Sequence, residues 1–210
     1  MRRHLRTLLA SLGLFAASIS PANAAEAPEQ SETAPELSAS ETFRSQHTRV
    51  AELTRTRADS TKIEAAVDAL LDYHSLAVQA LGGAKRSAER CASRCDELEL
   101  LLARLIRENY MRRVRTDKDH TVRFLGEETR GKSVRVKTEV EYSKDGRPVV
   151  VEVTYVMHAS AGHWRVRDII TDGVSLARNY KYEFHQILKK DGIDGLIARL
   201  ESKVTLVAKK

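Results

Sequence analysis

Asp168 is the residue whose surroundings first suggest chemistry. The stretch from Trp164 alternates as a strand does: Trp164, Val166, Asp168 and Ile170 face one way, and His163, Arg165, Arg167 and Ile169 the other. A carboxyl group on an otherwise apolar face is the kind of group that serves as a general acid or base. Such work needs a partner, and no His or second carboxylate stands at a pairing offset on that face. Catalysis through Asp168 is therefore the weaker alternative. Cys91 and Cys95 are the other candidates, since thiols can bridge, shuttle electrons or bind metal. Residues four apart on a continuous helix hold their Cβ atoms about 5–6 Å apart, whereas a disulfide needs roughly 3.8 Å. That spacing predicts two buried thiols acting as small hydrophobes, with a bridge or a redox couple as the lesser readings. No second cysteine pair exists and the seven histidines lack ligand spacing, so no metal site is expected.

The elements that must position these residues follow from the N-terminus. Met1–Arg6 is basic, Thr7–Ile19 is apolar, and Ala22-Asn23-Ala24 offers the small residues of a cleavage site. Residues 1–24 are thus expected to be a signal peptide, with an apolar run too short for a bilayer that needs about 20 residues. Residues 25–40 carry Pro28 and Pro35 among glutamates and read as a disordered linker. Ser38 and Glu41 can form a capping box where order begins. A single α+β domain is expected over 41–203, with a tail at 204–210. Setting aside Arg2, Arg3 and Arg6 leaves 32 basic against 29 acidic residues. That small excess, without an aromatic-studded basic stripe, gives no reason to expect nucleic acid.

Helical periodicity covers Thr42–Ala58, then a stripe of Ile63, Val67, Leu70 and Leu71 behind a capping box of Thr61 and Glu64. A short helix carries Leu76 and Leu81 and ends at Gly82-Gly83. A long one runs from about Ser87 to Arg112, with Cys91, Cys95, Leu98, Leu102, Leu105 and Tyr110 on its apolar side. The period then changes to two. Val122 and Phe124 open a strand; Val134, Val136, Thr138, Val140 and Tyr142 alternate against Arg135, Lys137, Glu139 and Glu141. Asp145-Gly146 is a strong hairpin signal. Val149, Val151, Val153, Tyr155 and Met157 form the inner side of the next strand, and Ser160-Ala161-Gly162 leads into Trp164. Asp172-Gly173 breaks the extended run, Ser175 can cap a helix bearing Leu176, Tyr180 and Phe184, and a last helix follows Gly192. The fold class expected is α+β: N-terminal helices, a four-stranded antiparallel meander, and C-terminal helices on one side of the sheet.

Taken in order, these residues resemble the MlaC (toluene-tolerance auxiliary) family, the periplasmic phospholipid-binding component of the Mla lipid-transport system. The likeness is carried by Trp164, Val166 and Asp168, then Gly173-Val174-Ser175-Leu176, Tyr180 and Phe184, then Gly192-Ile193-Asp194 and Leu196–Leu200. Leu70-Leu71-Asp72-Tyr73, Leu81-Gly82 and Leu102–Tyr110 extend it to about residues 41–203. Two positions depart from the pattern: Gly83–Arg86 lacks an aromatic residue, and Cys95 or Leu98 stands where a Phe is usual.

The resemblance implies a cone like that of nuclear transport factor two, enclosing an apolar cavity that takes phospholipid acyl chains. It implies a monomeric periplasmic carrier and no enzyme. The partners would be an inner-membrane Mla-type ABC transporter complex and an outer-membrane lipoprotein–porin complex. The bound ligand would be phospholipid, with no other cofactor; a hopanoid-associated or other hydrophobic ligand is the alternative. The expected lipid-binding wall comprises Val136, Val140, Val151, Val153, Tyr155, Val166 and Ile170 from the strands. Leu102, Ile106, Tyr110, Leu176, Tyr180 and Phe184 are expected from the covering helices. Arg178 or Lys181 could meet a phosphate.

Overall fold

Period-two alternation and tight turns build the sheet. In the computed structural model, which describes residues 37–116 and 120–208 (side chains of 112–116 excepted), five antiparallel strands lie in sequence order. They are β1 (Thr121–Arg130), β2 (Ser133–Lys144), β3 (Arg147–Ser160), β4 (His163–Thr171) and β5 (Val174–Ser175). The expected leader and the linker as far as residue 36 lie outside the described residues. The meander has one strand more than expected because Asp172-Gly173 reverses the chain as well as breaking it. Asp172 (φ 47°) and Gly173 (φ 79°) both take positive φ, as do Asp145-Gly146 and Ala161-Gly162. Two-residue hairpins of that kind match the twist of the strands they join.

One face of the sheet is buried and the other charged. Val134, Val136 and Thr138 are buried in β2, while Arg123–Glu139, Arg130–Glu128 and Lys137–Glu128 pair on the outer side. Two bulges interrupt the ladder. In β1 the pairing skips Leu125 between Phe124 and Gly126. In β4 Met157 pairs with Val166 but Val156 pairs with Asp168, so Arg167 is the unpaired extra residue. An extra residue shifts every later side chain by one place in the alternation. Beyond the bulge Ile169 therefore lies opposite Tyr155, and Ile170 lies opposite Thr154.

The helices come from both ends of the chain. The expected capping box starts α1 (Ala39–Arg55): the Ser38 hydroxyl accepts from the Glu41 amide, and the Ser38 amide donates to the Glu41 carboxylate. Its first residues lie within the stretch read as linker. For α2 (Ser60–Leu70) the cap is Asp59, whose carboxylate accepts from the Thr61 amide, and the expected Thr61–Glu64 box does not form. Leu71 then bridges Val166 in parallel beside β4, and Asp72 caps α3 (Tyr73–Leu81). Gly82 and Gly83 have φ near 100° and turn the chain into α4 (Ala84–Cys91).

The long helix expected from Ser87 to Arg112 is two helices. Ala92 adopts φ 45°, a 3₁₀ turn spans Ala92–Arg94, and α5 runs Cys95–Thr116. This corrects the reading of Cys91 and Cys95 as free thiols. The break brings their Cα atoms to 4.8 Å, and they form a disulfide. The helical spacing that argued against a bridge does not apply where the helix stops. Closing so short a loop stabilises the fold by about 2 kcal/mol in the chain-entropy account. The Cys91→Ser/Cys95→Ser double variant should lose roughly that much in urea unfolding, and an equal loss should appear when the wild type is reduced.

Asp168 secures the start of α6 (Leu176–Ala208). Its Oδ2 accepts from the Ser175 hydroxyl at 2.6 Å, and its Oδ1 from the Ala177 amide at 2.9 Å and from the Ile169 amide. The Ser175 hydroxyl oxygen in turn accepts from the Arg178 amide, the cap expected of it. Gly192, with φ 67° and ψ −166°, breaks α6 into two helical halves. Leu196, Ile197, Leu200 and Val204 of the second half are buried. Where a tail was expected from 204, the chain continues as helix to Ala208.

Candidate functional site

Two clefts open over the inner face of the sheet. The larger, about 590 Å³, lies among α1, α5 and the strands. Its apolar lining is Val122, Val140, Val151, Val153, Tyr155 and Ile169, with Tyr110, Tyr142, Thr171, His47, His120, Lys144 and Asp172 around them. The smaller, about 380 Å³, is walled by Ile106, Asn109, Tyr110, Val174, Leu176, Asn179 and Tyr180, with Ile169 and Thr171. Tyr110, Ile169 and Thr171 line both, so the two lie side by side as neighbouring lobes. Clefts of a few hundred Å³ are the usual size for small-molecule sites, and the walls here mix aliphatic with polar side chains. A third groove of about 720 Å³ separates the two halves of α6, is lined by residues 182–202 only, and includes no strand residue.

Local structure explains the lining. Alternation in β2 and β3 places Val140, Val151, Val153 and Tyr155 on the inner face. From α1, Phe43 stacks on Tyr155 with ring centroids 4.0 Å apart and meets Phe124 edge-on at 6.0 Å, closing the floor with aromatic rings. The Arg44 guanidinium lies 4.4 Å from the centre of the Phe124 ring. Exposure then rises along the cleft: Tyr155 and Val153 are buried, Val140, Val151 and Tyr142 half-buried, and Lys144 exposed.

Of the residues expected to form the wall, Ile106, Tyr110, Val140, Val151, Val153, Tyr155, Leu176 and Tyr180 line one or both lobes. Leu102, Val136, Val166 and Phe184 are fully buried and pack the core beneath. Ile170 lines neither lobe, and Ile169 occupies the place assigned to it because of the Arg167 bulge. Regular alternation could not have foreseen that exchange. His47, His120, Val122, Tyr142, Asn109 and Asn179 were also missed; the histidines belong to segments without strong periodicity, where no face could be assigned. Arg178 and Lys181 line neither lobe.

The electrostatics of the site are those of a sheltered depression. Burial, aided by the charge of His120, holds His47 below the usual histidine value, and burial pushes the Tyr110 phenol above its ordinary range. Asp168, the catalytic alternative, has both oxygens engaged by Ser175, Ala177 and Ile169 and serves as a strut. Among the described residues no group of three His, Cys, Asp or Glu side chains could hold a metal.

Outside both lobes, His158 Nε2 lies 2.6 Å from Asp72 Oδ2 and ties β3 to the start of α3. Burial raises the Asp72 carboxyl, but bonds from the Ser75 amide, His158 and the Ser75 hydroxyl outweigh it, leaving the group below its ordinary value. A carboxyl depressed in the folded state stabilises the fold fully above its unfolded value near ~4. That contribution disappears as pH falls through the folded value. Asp72→Asn should therefore melt a few degrees (~2–4 °C) below wild type at pH 7, and the gap should close below about pH 4. Thermal melts at pH 7 and pH 3 decide it; a gap that widens in acid would overturn the assignment.

Comparison with known proteins places this geometry. Residues 38–202 match the family model described as MlaC protein. A solved structure described as the phospholipid-binding protein from Ralstonia solanacearum, in complex with a phospholipid, matches with a TM-score of 0.67 and 20% identity. The alignment covers 82% of this chain and 99% of that one. At that identity the likeness establishes a shared fold.

Proposed function

The chain belongs to the MlaC family, and from that premise we propose that it is a phospholipid carrier whose two-lobed cleft receives the acyl chains. The observation that carries the reading is the depression whose inner wall is Val140, Val151, Val153, Ile169 and Leu176, floored by Tyr155 on Phe43 and edged by polar side chains. The matched fold in a protein described as phospholipid-bound supports it. Each methylene taken from water is worth about 0.8 kcal/mol, so a two-chain lipid crosses water only inside a shelter. The lobes are open clefts.

In this reading the leader at 1–24 is removed on export, and the protein works in the periplasm. There it moves lipid between an outer-membrane lipoprotein–porin complex and an inner-membrane ABC transporter. No helix among the described residues is long and apolar enough to cross a membrane. It performs no catalysis; Asp168 holds the α6 start.

The test is direct. The protein purified without detergent and extracted with organic solvent should yield about one phospholipid per chain by mass spectrometry. Preparations that are consistently lipid-free would overturn the carrier assignment.

A further inference from the structure

We infer that Gln79, which lines neither lobe, is a positioning residue for the cleft. By donating to the carbonyl of the extra residue Arg167 it holds the β4 bulge in place, and so sets Ile169 in the wall of both lobes. The inference rests on the carrier reading for what the lobes hold, and adds to it a residue that decides which side chain meets the ligand.

The bulge creates a demand for donors. Arg167 has no partner in β3, and β5 reaches β4 only at Ile170 and Thr171. The carbonyls of the consecutive residues Val166 and Arg167 are met instead from the chain at α3. The Asp72 amide donates to the Val166 carbonyl at 2.9 Å, and Gln79 Nε2 donates to the Arg167 carbonyl at 2.7 Å. A regular antiparallel strand turns successive carbonyls to opposite edges. Two donors on one side therefore fit the bulged strand and not the regular one.

The clamp is itself held. Gln79 Nε2 also donates to the Ser75 carbonyl one turn earlier at 3.0 Å, and its Oε1 lies 3.4 Å from the Arg167 guanidinium. Asp72 Oδ1 accepts from the Ser75 amide, and its Oδ2 meets His158 on β3. One helix thus grips β4 while its N-terminus is tied to the strand that β4 pairs with.

The slipped register shows what the clamp prevents. Pairing continued without a bulge from Met157 and Val166 would set Arg167 opposite Val156, Asp168 opposite Tyr155 and Ile169 opposite Thr154. A carboxylate would then stand where Ile169 now lines the lobes. The bonds from Ser175 and Ala177 to Asp168 oppose the same slip. Without Gln79 the slipped register therefore gains population but stays the minor state, and the experiment reads that population.

The chain's two cysteines are paired with each other, so an introduced thiol is the only free one. Ile169→Cys places it in both lobes, and Val151→Cys places it in the larger lobe on β3, at a residue whose register the β4 bulge does not set. In natively purified, lipid-loaded protein, N-ethylmaleimide should label both thiols more slowly than in protein stripped of lipid. Adding Gln79→Met, which keeps the length and removes the donor, should speed labelling at 169 by about fivefold, as the loss of one net hydrogen bond does. The rate at 151 should not change. Gln79→Glu should match Gln79→Met, because a carboxylate can pair with the Arg167 guanidinium but cannot donate to its carbonyl; if one of the two does not fold, the other reads the same. Arg167→Ala, which keeps the carbonyl, should leave both rates alone. Equal acceleration at 169 and 151 would make Gln79 a support of global stability, and no acceleration at 169 would leave the bulge independent of it. Either result overturns the inference and leaves the carrier reading standing. Thiols that label alike with and without lipid, or protein that holds no lipid, would overturn the placement of the ligand and this inference with it.

Discussion

Replacing Ile169 by Trp is expected to strip the protein of its lipid, with co-purifying phospholipid falling at least about tenfold while the fold survives. Ile169 lines both lobes, so an indole there intrudes on both. The side chain is half-buried in the free protein, and overpacking at such a place costs about 1–3 kcal/mol, less than a typical domain's stability of 5–15 kcal/mol. The companion variant Ile170→Trp carries the same bulk one residue later, at a position paired with Thr154 and Ser175 and outside either lobe. It should pay a similar stability cost and keep its lipid. Urea unfolding of both variants controls for folding, and extraction with mass spectrometry reads the load. If both variants lose lipid alike, or neither does, the register beyond Arg167 or the location of the site is wrong.

That contrast also marks how far the sequence is readable. Uniform alternation from Trp164 puts Ile170 inside; a single extra residue at Arg167 puts Ile169 there instead. Bulges arise from how two strands pair, and a single strand's pattern does not record them. The β2 and β3 faces were legible because the hairpin at Asp145-Gly146 locks their register over the full length of β2. The disulfide was missed for a related reason. Cys91 and Cys95 sit on a helical stripe by spacing, and the break at Ala92, an alanine with positive φ, has no sequence signature. Capping, by contrast, is local chemistry. Ser38 with Glu41 and Ser175 ahead of α6 were readable, and Asp59 displaced Thr61 only by offering a carboxylate two residues earlier. The site was half legible. Strand and helix periodicity picks out Val140, Val151, Val153, Tyr155, Ile106 and Tyr180, but cannot separate a wall residue from Val136 or Phe184, which pack the core below it.

Asp168→Ala should destabilise the protein by about 3–5 kcal/mol, the cost of breaking a buried charged network on one side. The carboxylate is 8% exposed and receives the Ser175 hydroxyl together with the Ala177 and Ile169 amides. Removing it leaves a hydroxyl and two amides without their acceptor and takes away the negative charge at the N-terminus of α6. Asp168→Asn should cost less, about 1–2 kcal/mol, because the amide oxygen can still accept from Ala177 and the Ser175 hydroxyl can turn to accept from the new NH₂. Urea unfolding separates the two variants, and the lipid load separates the two roles. A strut predicts that Asp168→Asn, once folded, retains its phospholipid and its lobe geometry. A group acting on the ligand predicts that the load changes even though the fold does not. The graded loss, Ala well beyond Asn with lipid kept in the milder variant, follows because Asp168 bonds away from the lobes toward β5 and α6, where the chain turns to cover the cleft it does not line.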